Sequence, residues 1–333
     1  MKVWGLALVL LTSVLTAIAQ EQPASVPSTQ PGSAPSATAE SKEAKPPSAT
    51  SEATPDKNAN VDLTPDASGK LSQEQMQQIF RVVADKDIEN DKRQRDYTYI
   101  EREVQTKLDG KGQTKSTEVK TYDVFELYGE QVQRLIAKDD KPLDEKEAAK
   151  EEEKIQKIID KRKNESDEDR RKREEREEKD REDGREFVRE IADAYNFTLV
   201  GSEQVDGREA WVIDGEPRPG FVPQMKDAKY LPKFHGRVWI DKGDLQLAKL
   251  DVECLDTISW GLFLARFHKG SRFMLEQTRV NDEVWLPRHV TFKLDARLAL
   301  VKAFNVDGEQ TYRDYKKFRT STKIVGVGEV KGP

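Results

Sequence analysis

Few residues in this 333-residue chain could carry out a reaction. The candidates are three histidines, His235, His268 and His289, and the single cysteine, Cys254. Imidazoles hold a metal or move protons when two or three converge, most simply four residues apart on one helix face. These three are far apart in sequence, fall at strand ends or on a solvent-facing side, and have no second cysteine to join them. Cys254 shares a face with Leu250 and Val252, which predicts a buried, inert thiol rather than a nucleophile. No Walker loop, G-x-S-x-G or H-E-x-x-H is present. The 62 Asp and Glu residues are too abundant for any pair to stand out as acid and base. The sequence therefore predicts a protein that is not an enzyme, with no metal site and no cofactor. A lone cysteine also excludes an intramolecular disulfide.

The chemistry on offer is apolar contact, and a sheet must position it. From Phe234 to Phe318 the chain reads as antiparallel strands: Gly236–Asp241, Leu245–Cys254, Ile258–Phe267, Ser271–Val280, Val284–Leu300 and Ala303–Phe318. Turn sequences such as Lys242-Gly243-Asp244 and Asp307-Gly308 separate them. Side chains alternate with period two, so Leu250, Val252 and Cys254 face one way and Lys249, Asp251 and Glu253 the other. In the longest run Leu286, Val290, Phe292, Leu294, Ala296, Leu298 and Leu300 share a face that only Arg288 interrupts. A sheet with one dry and one wet face needs a cover. The dry face is assigned to Val238, Ile240, Leu250, Val252, Phe273, Leu275, Val290, Phe292 and Leu294, the candidate lipid-binding residues. Helices at Met76–Val83 and Phe187–Tyr195 are the expected roof.

Earlier segments supply the rest. Met1–Ala19 has the form of a secretory signal peptide: Lys2, a mostly apolar run to Ile18, then Ala17-Ile18-Ala19, which places cleavage after Ala19 and the mature protein in the periplasm or outside the cell. Residues 20–70 are rich in Pro, Ser, Ala and Thr and free of aromatics, a composition that predicts a disordered tether. Order is expected over 71–320. Ser72 with Gln75 makes a capping box, and Met76, Ile79, Phe80 and Val83 follow at helical spacing. Strands are predicted at Tyr97–Leu108, Ser116–Tyr128 and Gln131–Lys138.

Residues 144–186 hold 15 Lys or Arg and 19 Asp or Glu. Their i,i+4 pairs, such as Glu168 with Lys172, favour helix, with a coiled-coil-like polarity. Only the ends carry apolar residues, Ile155, Ile158 and Ile159 at one and Phe187, Val188 and Ile191 at the other. Two helices packed by those ends and joined by a solvated excursion are expected, with Asn164–Asp183 dispensable for folding. A hairpin of Phe197–Gly201 and Arg208–Asp214 follows, then a Pro-rich connection, Glu216–Lys233, of a length that implies a functional flap or a covering segment. Residues 321–333 read as a tail.

The order of elements, with Gly129–Leu143, Val205–Ile213, Gly236–Glu253 and Val284–Phe292, resembles the LolA/LolB-like periplasmic fold, which includes outer-membrane lipoprotein-sorting proteins and the RseB/MucB sensors. The resemblance implies an α+β, mainly β fold, an antiparallel half-barrel of about eleven strands covered by helices, with an apolar cavity. It implies a lipid, or a lipoprotein acyl chain, as partner, in a carrier that makes transient membrane contact. The alternative it leaves open is an envelope interaction or sensor module with a packed core, binding a protein partner through the charged helices. The net charge of −6 argues against nucleic acid.

Overall fold

The computed structural model describes residues 66–67, 71–260, 265–298 and 302–318. The stretches read as signal peptide and tail, and nearly all of that read as tether, lie outside the described residues.

The first helix, α1 (Gln73–Gln94), starts where its capping box places it. The Ser72 hydroxyl accepts from the Gln75 N–H at 3.2 Å and the Gln75 carboxamide oxygen from the Ser72 N–H at 2.8 Å. Met76, Ile79, Phe80 and Val83 form its buried stripe. Amide side chains pin it to strand backbone at both ends. Gln73 donates to the Phe197 carbonyl at 2.6 Å and accepts from the Phe197 N–H at 3.2 Å. Asn90 does the same to Trp285, at 2.8 and 2.7 Å. A carboxamide matches a peptide unit in donor and acceptor, so each pin satisfies backbone groups the sheet leaves free.

Three antiparallel strands follow: β1 (Tyr97–Leu108), β2 (Thr114–Leu127) and β3 (Glu130–Lys138), then a two-residue β4 (Lys141–Pro142). The charged stretch is helical almost throughout, as α2 (Glu145–Lys163) and α3 (Asp167–Ala194), with Asp144 and Ser166 as N-caps. Next come β5 (Tyr195–Val205), β6 (Arg208–Pro217), a 3-10 turn (Ala228–Lys233), β7 (Phe234–Asp241), β8 (Leu247–Cys254), β9 (Ile258–Trp260), β10 (Ala265–Phe267), β11 (Arg272–Val280), β12 (Val284–Leu298) and β13 (Lys302–Lys317).

The strands form one antiparallel sheet in the order β4-β3-β2-β1-β13-β12-β11-β8-β7-β6-β5, with the β9–β10 hairpin set against β12. It is open, with β4 at one edge and β5 at the other: an α+β half-barrel. Its inner face packs against α1 and the end of α3 through Ile213, Val238, Ile240, Leu250, Leu275 and Val290.

Two expectations need correcting. Ile258–Phe267 is not one strand but two, since Trp260 pairs with Ala265 and Ile258 with Phe267. In β12 the single face does not run through to Leu286. Pairing steps from Glu276↔His289 to Gln277↔Pro287, which leaves Arg288 as the extra residue of a bulge. Leu286 therefore joins Tyr97 and Val284 in a separate cluster, while Arg288 forms an ion pair with Asp206.

Candidate functional site

A partly open cavity of about 170 Å³ lies between the helices and the inner face. Phe80 of α1 and Phe187 and Ile191 of α3 form one side, with Leu231 of the 3-10 turn. Strands β7, β8, β11 and β12 form the other through Val238, Leu250, Val252, Phe273 and Leu294. Tyr195 and Phe197 of β5 close one end, and the Phe80 and Phe197 rings stack with centroids 4.0 Å apart. The Tyr195 hydroxyl donates to the Leu231 carbonyl at 2.7 Å, and burial raises its pKa. That bond lets a phenol sit in an apolar wall without a stranded donor.

Five of the nine residues assigned to the dry face, Val238, Leu250, Val252, Phe273 and Leu294, come together on the cavity wall. Ile240, Leu275 and Val290 lie fully buried in the packed core. Phe292 joins Leu294 and Val306 in a neighbouring cluster, its ring over Gly308. Both expected roof helices contribute, through Phe80 and through Phe187 and Ile191, whereas Tyr195, expected on the second helix, is the first residue of β5.

The alternation did not point to Phe197, Leu231 and Phe234, nor to a pair of glycines. Gly215 and Gly236 sit directly opposite each other on β6 and β7, and both line the cavity. A Cβ on Gly215 would come within 3.3 Å of the Phe197 ring, and one on Gly236 within 3.3 Å of the Asp251 carbonyl oxygen. The notch exists because neither has a side chain. Their signal in the sequence is a glycine inside each of two adjoining strands, a mark of close approach.

Charge stays off this wall. His235 and Arg272 border the cavity but lie in the row paired through Glu253, which alternates with the apolar row of Gly236, Val252 and Phe273. The Arg272 guanidinium donates to Asp251, at 2.7 Å through Nε. His235 stands 3.6 Å from Glu216 and 3.8 Å from Glu253. His289 reaches Glu309 at 2.9 Å. Among the described residues no three metal-ligating side chains converge. Cys254 is buried, its Sγ 2.9 Å from the Asp256 carbonyl oxygen, and burial pushes the thiol pKa up.

The other half of the inner face is polar and aromatic. Glu101 of β1 is 3% exposed, lies between Tyr122 and Tyr312 in the sheet register, and accepts from the Gln133 side chain at 3.1 Å. Burial, and then the neighbouring Glu103, push its carboxyl up to about 7.

No protein-family model and no curated protein matches this chain. Solved structures do. A Vibrio parahaemolyticus domain assigned to the outer membrane lipoprotein-sorting proteins is similar over 76% of this chain and 96% of its own, at 12% identity and a TM-score of 0.31. The chain resembles the LolA-like fold. A LolA superfamily protein from Nitrosomonas europaea is similar over 75% of this chain and 94% of its own, at 8% identity and a TM-score of 0.25. Pseudomonas aeruginosa MucB, solved in complex with MucA, is similar over 72% and 94%, at 10% identity and a TM-score of 0.19. Likenesses at these scores carry no weight on function, so any functional reading rests on the cavity of this chain.

Proposed function

We propose that this is an exported, periplasmic, non-catalytic protein that takes up an acyl chain, of a lipid or a lipoprotein, between its sheet and its helices. The observation that carries the reading is the cavity wall: aromatic and aliphatic side chains from two helices and four inner strands, notched by paired glycines, with the neighbouring charges paired on the alternate row. Such a wall gives an acyl chain roughly 0.8 kcal/mol per buried CH₂. Apolar cavities of about 150 Å³ stay dry and bind benzene. A cavity of about 170 Å³ therefore admits part of a chain as it stands.

A fluorescent fatty-acyl probe tests the proposal. The wild-type protein is expected to bind it, and Val252→Trp to block uptake by filling the cavity while the melting temperature stays close to wild type. In a solid core the same substitution would overpack and cost about 1–3 kcal/mol. No probe binding together with a strongly destabilised Val252→Trp would sink the carrier reading. The envelope interaction module would then remain. What favours that alternative is the exposed, doubly charged surface of α3 along Asp167–Arg176.

A further inference from the structure

We propose that the segment from Arg218 to Lys233 is a gate over the cavity, latched to the end of α3 by the buried Glu190 carboxylate. The proposal rests on the acyl-chain reading and adds how the chain enters. The segment joins β6 to β7 and contributes Leu231 to the cavity wall. Most of its polar ties run to one short stretch of chain, while at its far end the Lys233 carbonyl accepts from the Leu255 N–H at 2.8 Å and the Lys233 ammonium pairs with Asp256, which makes that end the hinge. The Arg218 N–H donates to the Ala194 carbonyl at 2.8 Å. Glu190, 6% exposed, accepts from the backbone N–H groups of Gln224 and Met225, the latter at 3.0 Å. The Tyr195 hydroxyl donates to the Leu231 carbonyl.

Ahead of the 3-10 turn, whose Ala228 and Leu231 are buried in the core, the segment is lightly held. Phe221 and Met225 are only partly buried against the core, Val222 is 74% exposed, and Gly220 has φ of +78°. Segments with few buried contacts and few ties open first. The wall strands opposite, β7, β8, β11 and β12, are hydrogen-bonded on both sides. A chain longer than the cavity needs one wall to yield, and this segment, which belongs to neither the sheet nor a long helix, is the one placed to do so. Glu190 sets the closed position because its charge is buried and those two N–H groups solvate it; opening exchanges them for water.

The test uses the whole mature chain with Glu190→Ala and the milder Glu190→Gln. Glu190 does not line the cavity, so neither change alters its wall. Two rates are read: release of the fluorescent fatty-acyl probe, and labelling of Cys254 by a thiol reagent under native conditions. Cys254 is the only cysteine and is packed beneath Tyr230 and Phe234 at the end of the segment, so it reports opening whether or not a ligand binds. Glu190→Ala is expected to speed both rates about tenfold, as loss of two charge-assisted bonds allows. Glu190→Gln, which keeps an acceptor oxygen, is expected to fall between. Both rates within twofold of wild type in both variants would overturn the gate. Faster labelling in a protein that takes up no probe would uphold the gate and remove the acyl chain as its occupant. Probe uptake with neither rate changed would do the reverse.

Discussion

At Glu101 the sheet gives a carboxyl one side-chain donor, Gln133, and a second carboxyl, Glu103, as neighbour. Its folded-state pKa is raised from 4.5 to about 7. A carboxyl whose folded pKa lies above the unfolded one gives stability that is complete below about 4.5 and is lost as pH rises through 7. Wild-type protein should therefore melt a few degrees lower at pH 8 than at pH 5 on account of this group. Glu101→Gln should flatten that slope and be the more stable form at pH 8. Melting curves at pH 5, 6.5 and 8 decide it; an unchanged slope in the variant would mean that Glu101 is hydrated. Gly308 is a second single-residue constraint. A Cβ there would overlap the Phe292 ring, so Gly308→Ala should push that ring out of its cluster with Leu294 and Val306 and cost about 1–3 kcal/mol by denaturant unfolding. Neither was legible from alternation, which says which way a side chain points but not what the next strand puts beneath it. Arg288 was visible as a break in the pattern. Its cause, a bulge, depends on β11, which the run itself does not contain.

Among the elements, the charged helices show most clearly where sequence patterning works. The apolar residues at the start of the stretch do anchor it: Ile155 is buried with Leu127 and Val132, and Phe125, Ile158 and Ile159 pack around them. Phe125 and Leu127 alternate with Val124, which belongs to the core under α1, so α2 lies on the opposite face of the sheet from α1. Helical spacing located the stripe; which face of the sheet it would choose was set by β2–β3 pairing, beyond the reach of a local pattern. Ile155→Ala should cost about 2–4 kcal/mol if α2 unfolds only with the rest of the protein. Should α2 detach alone, global stability would hold while proteolysis near 164–166 quickened, and limited proteolysis beside denaturant unfolding separates the two. The corner between α2 and α3 is itself ordered by charge. Arg162 and Arg173, each with a side chain 13% exposed, both reach Glu165, and Arg162 also reaches Glu130 of β3. The expected solvated excursion is thus two capped helices with a half-buried ion cluster at their joint.

For the whole molecule, the sheet order gives those helices a task that their composition does not announce. The strands before and after them, β4 and β5, are the two edges of the sheet, so α2 and α3 are the connection that carries the chain from one edge of the half-barrel to the other. That arrangement arises from the pairing of β1 with β13, the longest-range contact in the sheet, which no motif in either strand encodes. The end of α3 then meets α1 and supplies Phe187 and Ile191 to the cavity. Between its anchored ends α3 acts as a spacer. From Asp167 to Gly184 it advances about 26 Å at 1.5 Å per residue. A spacer is characterised by its length. Replacing Asn164–Asp183 with a 20-residue Gly/Ser linker, whose r.m.s. span is about 25 Å, should leave the melting temperature within a few degrees of wild type. A six-residue linker reaches only about 20 Å fully extended. It should pull α2 off β3 or the end of α3 off α1, with a lower melting temperature and faster hydrogen exchange in β3 or α1. If the long linker proves as damaging as the short one, the charged helix contributes contacts as well as reach, and Arg173 with Glu165 becomes the pair to test first. If both linkers are harmless, the two edges of the sheet hold their separation without a strap.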